Sequence, residues 1–166
     1  MSVADKLREL AEKVPGVAEF LEREDLREQD KLVRDYAADQ MTKIKDGITG
    51  IKKVLLEKMQ LSLLDDFDRL GQIIGRLRES HRFAAYGYAG AFDRKKINEP
   101  ELQDMLDKDL EILDTVEQLV GDCGDLCASV TDEDGAKTAL ASLRVEIKKL
   151  EALIESRRAI AGRTGL

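Results

Sequence analysis

Residues 138–154 read TALASLRVEIKKLEALI. Within them Leu140, Leu143, Ile147, Leu150 and Ile154 recur at steps of 3, 4, 3 and 4. That alternation keeps apolar side chains on one stripe of a helix while Arg144, Lys148, Lys149 and Glu151 fall elsewhere. A second stripe of the same kind runs through Ala37, Met41, Ile44, Ile48, Ile51 and Leu55, and a third through Phe67, Leu70, Ile74 and Leu77. Leu102, Met105, Leu106, Ile112, Leu113, Val116, Leu119 and Val120 supply a fourth, interrupted by Asp109, which either faces water or meets an Arg or Lys of another helix. No stretch alternates with a period of two. A single helix cannot bury its own stripe, so the stripes must face one another or another subunit. The fold class expected is all-α: one antiparallel helical bundle over residues 1–166, with four main helices and a short N-terminal helix.

The boundaries follow from local chemistry. Ser2 with Asp5 forms a relaxed capping box at the start of a leader spanning residues 1–21, and Pro15-Gly16 breaks that leader before a second short run, Val17 to Leu21. Residues 24–84 contain no proline. They form either one helix of about 80 Å at 1.5 Å per residue or two helices that reverse near residue 60. Asn98, Glu99, Pro100 and Glu101 read as the start of a helix running to about residue 121. Gly121 is read as the beginning of a turn region reaching Gly135, with at most one helical turn inside it, and the last helix is placed at 133–161. Gly71 and Gly75 share one helix face, which suggests close helix packing there.

Charge is unevenly distributed. The chain carries a net charge of −7, but residues 76–98 have 6 basic and 2 acidic groups, and residues 99–134 have 1 and 13. So large an acidic stretch repels phosphate and argues against a general nucleic-acid coat. No apolar run approaches the length of a membrane helix, and the first residues lack the pattern of a secretory signal, which leaves the cytoplasm as the default expectation. The sequence contains no phosphate-binding loop, dinucleotide fingerprint or calcium loop, and no cofactor is expected.

Three segments offer chemistry. The connecting segment 83–98, with Arg82 beside it, combines Phe83, Tyr86, Tyr88 and Phe92 with Arg94, Lys95 and Lys96. Aromatic rings and cationic forks on an irregular segment suit a protein-docking surface, and the same rings could instead plug the end of a bundle. Cys123 and Cys127 are the only cysteines. On a helix their sulfurs share one side. They are read as packed thiols, with a redox pair or a metal site shared across a dimer as alternatives. The third segment is Arg76-Leu77-Arg78-Glu79-Ser80-His81. Its Arg-x-x-x-x-His spacing resembles the motif of the helical nuclease-like domains called HEPN. The resemblance covers six residues, and Leu77 replaces the polar residue that usually follows the Arg. It implies RNA cleavage at a dimer cleft, with Arg76 stabilising phosphate charge and His81 handling a proton. Without that role, His81 is expected as an exposed or part-buried residue at a helix end. The leading expectation is a noncatalytic interaction or scaffold subunit that self-associates as a homodimer or larger oligomer, or binds a protein partner. A HEPN-like ribonuclease and a metal-binding bundle are the alternatives.

Overall fold

The computed structural model describes residues 1–21, 26–84 and 99–164. Its helices are α1 (Val3–Lys13), α2 (Val17–Leu21), α3 (Leu26–Glu57), α4 (Leu64–Arg82), α5 (Glu99–Ser129) and α6 (Glu133–Thr164). No strand occurs among the described residues. The all-α bundle is therefore the architecture, with α3 to α6 as its main helices and α1–α2 as the leader. No helix among the described residues is long and apolar enough to cross a membrane.

The stripes become the core. Ala37, Met41, Ile44, Ile51 and Leu55 of α3, Phe67 and Ile74 of α4, Val116 and Leu119 of α5 and Leu150 of α6 have no accessible surface. The leader begins as its capping chemistry predicts: the Ser2 side chain accepts from the Asp5 amide at 3.2 Å and Asp5 reaches back to the Ser2 amide at 3.1 Å. Gly16 supplies the left-handed turn, at φ 89°, that separates α1 from α2. Lys6 and Lys13 then fasten α1 to α5 through Asp107 and Asp114, each at 2.6 Å.

The 24–84 region reverses. The break comes without Gly or Pro. Gln60 N donates to Leu55 O at 2.8 Å and Met59 N to Leu56 O at 3.0 Å, the paired bonds of a Schellman C-cap. Met59 occupies its left-handed position, φ 57°, where glycine is usual. Lys58 steadies this turn against the neighbouring one by donating to Val130 O at 3.1 Å and Thr131 O at 3.3 Å.

One expectation about glycine is corrected. Gly121 does not open a turn: α5 continues through Ser129, and the connection to α6 is confined to residues 130–132. Gly71 and Gly75 lie at the α3–α4 contact, and a tighter helix contact lies elsewhere. Both face α3, where an added Cβ would meet Ile48 at 3.9 Å and Lys45 Nζ at 3.8 Å, ordinary contact distances. The close approach is between α3 and α5, where a Cβ on Gly47 would stand 2.6 Å from Cys123 Cβ and one on Gly50 would stand 3.2 Å from Cys127 Sγ. These pairs rise in number together, so α3 and α5 run in the same direction, although each helical hairpin is antiparallel within itself.

Candidate functional site

At 19 residues, α4 is much shorter than the 32-residue α3. At 1.5 Å per residue it leaves about 20 Å of α3 without that neighbour. The leader and the end of α6 pack around the remainder, and a cluster of charges is buried there. Arg157 of α6 donates through Nε to Asp109 of α5 and through its terminal nitrogen to Asp30 of α3, with a further bond to Asp109 Oδ2 at 3.2 Å. Arg34 donates to Asp30 at 2.9 Å and to the carbonyl of Arg82 at the end of α4, where unpaired helix carbonyls collect. Arg34, Asp109 and Arg157 are each no more than 5% exposed.

Burial and pairing compete over the ionisation of the cluster. Burial alone would raise Asp30, but the Arg157 and Arg34 guanidinia outweigh it and hold its carboxyl below the ordinary range. Complete burial pushes Asp109 up despite Arg157 beside it. Burial opposes the charge on Arg157, yet Asp109 and Asp30 raise its pKa further. His81 lies beside these charges, 1% exposed and with no hydrogen-bond partner for Nε2. Burial first, then the two guanidinia, lower its pKa to about 3. It is a neutral core residue, not the exposed or part-buried helix-end histidine expected from sequence.

Arg76 is exposed while His81 is buried, so the structure does not bring the two together within one chain. The cluster also lacks room for chemistry. A cavity of about 30 Å³ reaches its edge, walled mainly by apolar residues including Leu10, Val17, Val33 and Leu106. Such a space holds a water or two. Arg157 is fully engaged with carboxylates that a substrate would have to displace. The arrangement can fix the register of four helices; it offers no open acid, base or nucleophile.

The cysteines lie where the two parallel helices meet. Cys123 is buried and Cys127 partly so, and both are free thiols. Burial, with Asp122 adding to it, pushes the Cys123 thiol up to about 11. Among the described residues no group of three or more His, Cys, Asp or Glu is arranged to hold a metal ion. Of the aromatic-basic segment, Tyr86, Tyr88, Phe92, Arg94, Lys95 and Lys96 lie outside the described residues. Arg82 is turned inward to its own chain, bonded to Asp39 and 3.8 Å from Asp35. Phe83 closes α4 and is 52% exposed.

The opposite end of the bundle carries a feature that the helical stripes do not reveal. Leu56, Met59 and Leu61 are 50%, 78% and 52% exposed. Scattered exposed apolar residues are normal, but three large ones within six residues of a single turn form a concentrated apolar surface. The sequence signal was present in the Met59–Phe67 run, rich in leucine and lacking helical spacing. Its reading as surface required knowing that the chain reverses there.

No protein-family model, curated protein or solved structure matches the chain.

Proposed function

We propose that this chain is a noncatalytic helical protein-interaction module. The observation that carries the reading is the exposed apolar turn of Leu56, Met59 and Leu61 at the end of a bundle whose buried Arg157, Asp109 and Asp30 are spent on one another. Apolar side chains held in water cost free energy that burial against another protein would recover, at roughly 25 cal/mol per Å² of apolar surface. Met59 adds to this, because a non-glycine residue in the left-handed region carries a local conformational cost, and such strain clusters at functional segments. The Arg34–Asp30–Arg157–Asp109 cluster supports the reading differently: a rigid register presents the turn as a preorganised surface.

Site-specific photo-cross-linking in cells tests this. A diazirine analogue of methionine at position 59 is expected to give discrete protein adducts, with a second copy or with another chain. The same group at Glu151, exposed on α6, is expected to give none of those bands. Identical adduct patterns at both positions, or none at Met59, would count against the module.

A further inference from the structure

The residues around the apolar turn narrow the class of partner. Residues 56–66 and 130–135 carry six carboxylates and one ammonium group. The ammonium, Lys58, is held by the Val130 and Thr131 carbonyls. Asp132 caps α6 by accepting from the Gly135 amide at 2.7 Å. Asp66 lies 3.8 Å from both Arg69 and Arg144, and Glu133 accepts from Ser62 at 3.1 Å. Glu57, Asp65 and Asp134 remain, all exposed and none with an ion pair among the described residues.

Resting on the interaction reading above, we infer that the α3–α4 turn docks an amphipathic helix of a partner protein with apolar anchors on one face and Lys or Arg along its margins. Leu56, Met59 and Leu61 meet the apolar face. Met suits that task, since its unbranched side chain adapts to different anchors. Glu57, Asp65 and Asp134 meet the cations and set orientation and encounter rate. Charge complementarity selects this occupant over an acidic or uncharged one. The same carboxylates would repel an acidic helix and an anionic membrane alike.

The test uses the full chain and a fluorescein-labelled 18-residue peptide made only of Leu and Lys, with Leu at i, i+3, i+4 and i+7 positions. Fluorescence anisotropy is expected to show saturable binding that weakens at least about tenfold in Leu56→Ser/Met59→Ser/Leu61→Ser, as loss of a central apolar anchor set requires. Glu57→Gln/Asp65→Asn/Asp134→Asn is expected to weaken it about threefold or more and to flatten its salt dependence. A peptide with Glu in place of every Lys is expected not to bind. Neutralising acids elsewhere, in Glu9→Gln/Asp104→Asn/Glu151→Gln, is expected to leave affinity within about twofold, a change well under 1 kcal/mol. All these positions are exposed or half-buried, and circular dichroism confirms that the variants fold. Equal binding by the serine variant, an equal loss in the distant control, or no binding at 200 μM protein (which places Kd above roughly 1 mM) would overturn the assignment. If the peptide fails while the Met59 cross-link still yields an adduct, the interaction module stands and the basic-helix partner does not.

Discussion

Acidification from pH 7.5 to 5.0, read as a difference between wild type and a His81 variant, reports on one side chain in this protein. His81 is the single histidine, and no other side-chain type has its ordinary pKa in that window. In the unfolded chain it takes up a proton around pH 6.5; in the folded chain burial and two guanidinia delay uptake to about pH 3. The unfolded state therefore binds more protons throughout that interval, and stability must decline as pH falls through it. The contribution is complete above pH 6.5 and is progressively lost toward pH 3. Integrating between 7.5 and 5.0 gives a loss of about 2 kcal/mol, and any folded pKa below about 4 gives nearly the same result. Urea unfolding followed by circular dichroism at both pH values measures it. Wild type should lose about 2 kcal/mol, and His81→Leu should lose that much less, whatever its absolute stability, because Asp30 and Asp109 titrate in both proteins. Equal losses in wild type and variant would show that His81 is not held neutral by its surroundings.

Other expectations follow from packing and backbone geometry. Gly47→Ala should destabilise by about 1–3 kcal/mol in thermal or urea unfolding, since its Cβ would collide with Cys123, whereas Gly121→Ala, with nothing within 4 Å, should stabilise by up to about 1 kcal/mol. The opposite ordering would show that α3 and α5 are not in close contact. Met59→Gly should raise stability by about 1 kcal/mol by relieving the left-handed residue, and a drop in Tm would refute the cap geometry. Arg157→Leu should cost about 3–5 kcal/mol, because Asp109 and Asp30 lose a shared buried counter-ion; a near-neutral effect would place the cluster in water.

Much of the bundle was legible because helical stripes are a local property. Ala37 through Leu55 and Leu140 through Ile154 announce which face is buried without reference to any partner. Gly121 misled for the opposite reason: propensity disfavours glycine in a helix, but the packing of Cys123 and Cys127 on Gly47 and Gly50 carries α5 past it. The charge cluster was half legible. Asp109 stood out as a polar break in a stripe, and a basic partner was among its expected solutions. Nothing local connects it to Arg157, 48 residues away, or connects Arg157 to Asp30, 127 residues away. The exposed turn was obscured because a reversal built on Leu, Met and Gln lacks the Gly and Pro that ordinarily mark one.

That 127-residue separation has a consequence for how the chain matures as it is synthesised. The α3–α4 pair joins sequence neighbours and can form early, with little entropy of loop closure. Asp30 and Asp109 reach their shared pocket with Arg157 still to come. Until the last turns of α6 emerge from the ribosome, two carboxylates stand together without the cation that unites them, and the upper bundle stays unsealed. A chain stopped before residue 157 would lack the cation that Asp30 and Asp109 share.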